Sequence, residues 1–189
     1  MIKDKLKKQE TGIEIKLDIL GSQAKKVFLS LGSNLGNKKK NLEMAKLLLM
    51  ESKKIVIIKS SSYYKTPSWP NKSQPFFINV VLEICTIFSP TELFNFIKKI
   101  EIKLGRKNSP KNSPRECDID ILDYDQKTIN IYSNTNQVII PHPRMHTRNF
   151  VLLPLFEISR QWKHPKLKVN IIHLMNSLTF ENLRSVKIL

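Results

Sequence analysis

The order in which apolar segments follow one another constrains this chain most. VFLSL (27–31) reads as a buried strand and runs into GSNLGN, a Gly/Asn/Ser turn. Asn37 is placed to cap a helix reaching about Glu51, with Leu42, Ala45, Leu48 and Leu49 at helical spacing. IVIIKSSSYY (55–64) and FFINVVLEICT (76–86) are two further strands, rich in β-branched residues and separated by the three-proline loop TPSWPNKSQP (66–75). Ser89 as N-cap and Pro90 at the first helical position open a second helix. It carries Leu93, Phe94, Ile97 and Ile100 and ends near Gly105. CDIDILDY (117–124) alternates as a half-buried strand should. A short hairpin near Ile129–Tyr132 follows, then a helix from Thr147 toward Ile158. This order predicts an α+β, ferredoxin-like βαββαβ sandwich, an antiparallel sheet with helices packed on it.

A chain of 189 residues fits one domain with its own core, here 26–189. Residues 1–25 are charged and lack sustained periodicity, so they are expected to form a flexible N-terminal extension. The first residues carry no apolar run typical of a secretory signal, and no segment approaches the roughly 20 apolar residues that span a bilayer. A cytoplasmic monomer without membrane contact is the expectation. Cys85 and Cys117 show no C-x-x-C spacing and are read as reduced thiols. Cys85 is assigned to the core, Cys117 to a position open to partial exposure, and no zinc site is expected. The net charge of +16 favours polyanionic partners, whether nucleic acid, an anionic membrane or a small polyphosphate. Lysine, isoleucine and asparagine are abundant throughout, so compositional drift explains part of that charge.

Asp118 and Asp120 are the residues with most chemical content. In a strand, i and i+2 point to one face about 6.5–7 Å apart. Two carboxylates so presented can share Mg²⁺ ions in phosphoryl transfer, with waters and phosphate oxygens completing the coordination. Alone, a D-x-D pair is more simply a solvated polar face alternating with Ile119 and Ile121. Its flanks change that balance: Arg106, Lys107, Lys111 and Arg115 precede it, and His142, Arg144, His146 and Arg148 follow. Cations on both sides suit a metal-bridged polyphosphate. Lys107 and Arg144 are read as surface charges. His142, fixed between Pro141 and Pro143, is the better histidine candidate. GSNLGNKK (32–39) lacks the spacing of a P-loop and is read as a plain strand-to-helix turn. Trp69, Phe76 and Phe77 offer flat apolar faces beside the polar groups of Thr66 and Asn79, a surface on which a planar heterocycle can stack. Phe76 is assigned instead to the core.

These pieces together resemble the 6-hydroxymethyl-7,8-dihydropterin pyrophosphokinase family over about residues 26–160. The matching stretches are LSLGSNLGN, SSYYKTP, QPFFINVV, IEIKLGR, SPRECDIDILDY and IIPHPRMHTRNFVLLPLFEI. The resemblance implies transfer of pyrophosphate from ATP to the pterin hydroxymethyl group, with release of AMP. It implies that Asp118 and Asp120 bind two Mg²⁺ ions and that Arg106 and Arg115 act as phosphate-binding, catalytic arginines. His142 and Arg148 match ATP-contacting positions, with Arg115 again on the phosphates. Ile121 matches a residue whose backbone meets adenine, and Glu101 an acidic position near the nucleotide. Thr66, Pro67, Trp69 and Asn79 fall on pterin-pocket positions, and Phe77 and Phe150 would sandwich the ring.

The loop GRKNSPKNSPR departs from the family's usual GR-x-R-x-x-RWGPR. Asn108 replaces an arginine, Lys111 keeps only a charge, and Asn112 replaces a tryptophan. Replacing arginine by lysine loses the planar fork, and losing tryptophan removes a stacking lid. Loop closure is therefore expected to be weaker while activity survives. Two other readings remain at this level: a basic nucleic-acid-binding module without catalysis, and a relic that binds but does not turn over.

Overall fold

The structure, a computed structural model, describes residues 17, 20–68, 71, 73–106, 113–133 and 136–189. Its elements in chain order are β1 (Lys25–Ser33), α1 (Lys38–Glu51), β2 (Ile55–Ser60), β3 (Tyr64–Thr66), β4 (Phe77–Thr86), α2 (Pro90–Lys103) and β5 (Asp118–Tyr124). Then follow β6 (Ile129–Ser133), β7 (Asn136–Ile140), α3 (Asn149–Ile158), α4 (Ile171–Asn176), α5 (Phe180–Arg184) and β8 (Lys187–Ile188). The main sheet is antiparallel in the order β5-β1-β4-β3-β8, with β2 also paired to β4. This is the βαββαβ arrangement read from the sequence, and the hairpin β6–β7 stands beside it.

The caps fall where the residue types require them. Asn37 accepts the Lys40 N–H at 3.1 Å. Ser89 and Glu92 form a reciprocal capping box, with Pro90 opening α2. Strict alternation then divides the sheet's two faces. Val27, Leu29 and Leu31 of β1 join Val80, Leu82 and Ile84 of β4 and Ile119 and Ile121 of β5 under α1 and α2. Phe28, Val81 and Leu122 face the other way, under Val151, Leu152 and Leu155 of α3 and Ile171 of α4. Each such side chain, fully buried, contributes roughly 1.5–3 kcal/mol.

The single strand expected over 55–64 is two. β2 pairs with the Leu82–Thr86 end of β4 and β3 with its Phe77–Asn79 end. Side chains take over the ladder's bonds between them: Ser61 Oγ accepts the Val81 N–H at 3.0 Å. Glu157 of α3 accepts from the Ser62 N–H and hydroxyl at 2.9 Å each and from the Tyr64 hydroxyl at 2.7 Å.

Three burial expectations are corrected. Cys117 is fully buried, because it lies two residues before Ile119 and shares its face, while Cys85 is only half-buried. Phe76 is 39% exposed, with the Lys38 and Lys65 ammonium groups over its ring at 4.4 and 4.2 Å. Residues 1–16, 18 and 19 of the expected N-terminal extension lie outside the described residues. Leu20, at its end, is buried. Among the described residues no helix is long and apolar enough to cross a membrane.

Candidate active site

β5 is an edge strand, and its pleat sends Asp118 and Asp120 to the face opposite Ile119 and Ile121. The acids keep 30% and 36% side-chain exposure, and Asp120 lines a concavity beside the strand. Gly32 of β1 lies across from Asp118 on one side and from Asn79 of β4 on the other. One row of the sheet therefore joins Asp118 to the polar pocket residue Asn79.

Three arginines and a histidine converge on the acids. Arg106 Nη1 donates to Asp118 Oδ1 at 2.9 Å, and Arg115 Nη1 approaches the same oxygen at 3.2 Å. Asp120 Oδ2 has Arg148 Nη1 at 3.6 Å and His142 Nε2 at 3.8 Å, both beyond hydrogen-bond reach. Arg148 Nη1 and His142 Nε2 are 3.4 Å apart. The difference in pairing separates the two carboxyls. Burial pushes Asp118 up, but Arg115 and Arg106 outweigh it and hold it below the usual carboxylate range. Burial and the neighbouring Asp118 charge raise Asp120 above that range, against His142 and Arg148. Burial lowers His142, helped by Arg148 and Arg144, so the neutral imidazole is favoured.

This donor chemistry fits a hard divalent cation. Asp118 and Asp120 are two carboxylates presented on one face of β5, both partly open to solvent. Two carboxylate ligands suit Mg²⁺, which keeps waters and takes further oxygens from a substrate phosphate.

Glu101 reaches the site through others. It is fully buried on α2; Oε2 pairs with Arg106 Nη1 at 2.6 Å and Lys98 Nζ at 2.7 Å, while Oε1 accepts the Ile119 N–H at 2.8 Å. It thus aims Arg106 at Asp118 and pins the outer edge of β5. Beyond it a cavity of about 220 Å³ opens between α2, β5 and β7, lined by Phe94, Lys98, Ile119, Asp120, Ile121 and His142 among others. The register shifts between Phe28 and Leu29, leaving Leu122 without a β1 partner, and its carbonyl accepts the His142 N–H at 3.2 Å. That bulge fixes His142 over the acids.

On the other flank, Asn79 and Thr66 are buried and joined, Asn79 Nδ2 donating to Thr66 Oγ1 at 2.9 Å. Phe77 is half-buried beside them and Pro67 is exposed. Phe150, half-buried at the start of α3, has the Arg148 guanidinium 5.4 Å from its ring centre. Trp69 and residues 107–112, including Lys107, Asn108, Lys111 and Asn112, lie outside the described residues. Arg144 is exposed. His146 packs edge-on against His164, with ring centres 6.0 Å apart.

Three residues escaped the sequence reading. Lys98 lines the cavity and shares Glu101 with Arg106; its spacing of three from Glu101 on a helix was a signal, masked by the abundance of lysine. Gly32 has no room for a side chain, since a Cβ would stand 2.9 Å from Asn79 Oδ1. Asn34 grips Arg115: its Oδ1 accepts the Arg115 N–H at 2.8 Å.

Residues 28–160 match the family model described as 7,8-dihydro-6-hydroxymethylpterin-pyrophosphokinase (HPPK). The chain is 39% identical over 134 residues to the 2-amino-4-hydroxy-6-hydroxymethyldihydropteridine pyrophosphokinase of Bacillus subtilis (strain 168), covering 71% of this chain and 78% of that protein. The protein of the same name from Aquifex aeolicus (strain VF5) is 39% identical over 139 residues, covering 74% and 83%. Folic acid synthesis protein fol1 of Pneumocystis carinii is longer: 36% identity over 160 residues covers 85% of this chain but 21% of that one. In the crystal structure of wild-type Plasmodium falciparum HPPK-DHPS, a fold match with TM-score 0.65 and 17% identity covers 84% of this chain and 46% of that chain.

Proposed function

Because this chain belongs to the 7,8-dihydro-6-hydroxymethylpterin-pyrophosphokinase family, we propose that it transfers pyrophosphate from ATP to 6-hydroxymethyl-7,8-dihydropterin, releasing AMP in a step of folate biosynthesis. One observation carries the reading. A carboxylate pair ringed by Arg106, Arg115, His142 and Arg148 stands beside a buried amide pocket, with Asp118 and Asn79 on one sheet row. Charge for a polyphosphate and polar groups for a heterocycle's edge meet across Gly32.

The pterin hydroxyl oxygen bonds to the β-phosphorus as the bond from that phosphorus to the α,β-bridging oxygen breaks, its electrons leaving with AMP and the hydroxyl proton passing to solvent. Such a displacement needs positioning and charge stabilisation more than a strong base. Asp118 and Asp120 would hold Mg²⁺, two ions in our reading, and the metal when bound neutralises phosphate charge. Arg106 and Arg115 spread charge on the transferred group, Arg106 held at its angle by Glu101. His142 and Arg148 meet the nucleotide's phosphates, and a neutral His142 donates one hydrogen bond there. The cavity beside Ile121 takes the adenine. Thr66, Pro67, Trp69 and Asn79 read the pterin's edge, with Phe77 and Phe150 stacking on its faces. We further read residues 26–189 as one domain, working as a cytoplasmic monomer.

The test is AMP release from ATP with and without the pterin. AMP formation that requires the pterin and Mg²⁺, and vanishes in Asp118→Ala, supports the reading; full activity in that variant overturns the metal assignment. A nucleic-acid module would instead bind RNA tightly and with salt sensitivity regardless of Asp118 and Asp120, and paired acids facing the cationic cluster disfavour it.

A further inference from the structure

The turn between β1 and α1 holds an asparagine that does nothing for its own helix. Asn37 caps α1, whereas Asn34, 1% exposed, directs its side chain to two other segments. Its Oδ1 accepts the Arg115 N–H at 2.8 Å, and its Nδ2 donates to the Pro75 carbonyl at 3.5 Å. The backbone N–H groups of Asn34 and Leu35 both donate to the Arg115 carbonyl at 3.2 Å. Arg115 is therefore held on both sides of its Cα by one turn. The turn is braced from behind by Asn41 of α1, whose Nδ2 donates to the Leu35 carbonyl at 2.9 Å and the Ser33 hydroxyl at 3.3 Å.

The two segments gripped are those that border the two halves of the site. The backbone at Arg115 sets where its guanidinium leaves the chain, and that guanidinium meets Asp118 at 3.2 Å. Pro75 ends the proline-rich loop immediately before Phe76, Phe77 and Asn79. A single amide thus uses its acceptor on the phosphate side and its donor on the pterin side. Buried side-chain amides are seldom left so divided without consequence, since each lost partner leaves a desolvated group.

We infer that Asn34 is a positioning residue that couples the catalytic arginine to the pterin-side loop, keeping the two substrate half-sites in register. The inference rests on the pyrophosphoryl-transfer reading above. It separates the two halves of the amide. Asn34→Asp keeps the acceptor for Arg115 but loses the donor to Pro75; Asn34→Ala loses both.

The experiment is steady-state and single-turnover AMP formation for wild type, Asn34→Asp, Asn34→Ala, Arg115→Ala and the double variant Asn34→Ala/Arg115→Ala. Asn34→Asp is expected to raise the pterin KM about 5–20-fold with kcat within about twofold of wild type. Asn34→Ala is expected also to lower kcat about 10–100-fold, yet to lower it less than about twofold once Arg115 is already gone. Equal losses in both backgrounds overturn the coupling to Arg115. An Asn34→Asp variant whose kcat and KM move together, or do not move, overturns the division of roles. That split also decides the matter should Asn34→Ala fail to fold. A wild-type protein that makes no AMP defeats the functional reading, whereas an active wild type with multiplicative losses defeats only this inference.

Discussion

Adding one methyl group at Gly32 tests how tightly the two halves of the site are joined. Gly32 has an ordinary backbone conformation, so Gly32→Ala carries no left-handed strain, and its effect comes from space alone. The new Cβ would stand 2.9 Å from Asn79 Oδ1 and 3.6 Å from Phe77 Cδ1. The second is ordinary contact; the first requires the Asn79 amide to move. That amide is buried and donates to Thr66 Oγ1 at 2.9 Å, so moving it strains or breaks a buried hydrogen bond. Leaving such a group unsatisfied costs about 1–3 kcal/mol, and overpacking costs a similar amount. Urea unfolding should therefore show Gly32→Ala less stable by about 1–3 kcal/mol at unchanged m. Pterin affinity, measured by calorimetry, should fall about 5–100-fold, at 1.4 kcal/mol per tenfold. ATP affinity should stay within about threefold, because the acids on the other side of Gly32 do not move. In an Asn79→Ala background the clash is gone and Gly32→Ala should cost less than about 0.5 kcal/mol. A Gly32→Ala protein with wild-type stability and pterin affinity would refute the reasoning, since it would mean the amide has somewhere else to go.

Glu101→Gln preserves an acceptor for the Ile119 N–H but removes the charge shared by Arg106 and Lys98. It should cost about 1.5–3 kcal/mol in urea unfolding and lower kcat by releasing Arg106; a silent substitution would mean that burial, which raises this carboxyl, keeps it protonated at neutral pH. His164 is lowered to about 4 by burial and by His146, so the unfolded chain takes up this proton first as pH falls. Its contribution to stability is complete above the unfolded value near 6.5 and is lost as pH drops through that window toward 4. His164→Asn retains an acceptor for the Lys166 and Leu167 N–H groups, which now bond to Nδ1 at 3.2 Å each. Its melting temperature should fall less steeply between pH 6.5 and 4 than that of wild type, and parallel slopes would dismiss His164 as a source of acid sensitivity.

Local periodicity made most of the fold legible. Helix caps at Asn37 and Ser89, the alternation through Asp118–Tyr124 and the apolar runs of β1 and β4 each announce themselves within a few residues. The break between β2 and β3 was hidden because its stabiliser, Glu157, lies 95 residues from Ser62. Asn34 was hidden for the same reason, its partners being 81 and 41 residues away. Cys117 was legible after all, since it continues the buried register of Ile119 and Ile121. Within the site, the acids and their cations were found by residue type, but which cation serves which acid was not. Arg106 and Arg115 share one oxygen of Asp118 while His142 and Arg148 attend Asp120, a division set by α2 and the Leu122 bulge. The short α4, α5 and β8 carry too little periodicity to be read from local pattern.

The outer edge of β5 is an open rim of the main sheet, the kind of border along which sheets of separate molecules zip together. Here the rim is plugged at two points. The Glu101 carboxylate occupies the Ile119 N–H, and the His142 N–H occupies the Leu122 carbonyl. A foreign strand laid along β5 would meet a buried acid at one end and a proline-flanked histidine at the other. Between them the backbone around Ile121 faces the cavity between α2, β5 and β7. The same two contacts that shape the site thus guard the protein against self-association through this edge, and a Glu101 substitution that removes the acceptor, such as Glu101→Ala, would open the edge to aggregation.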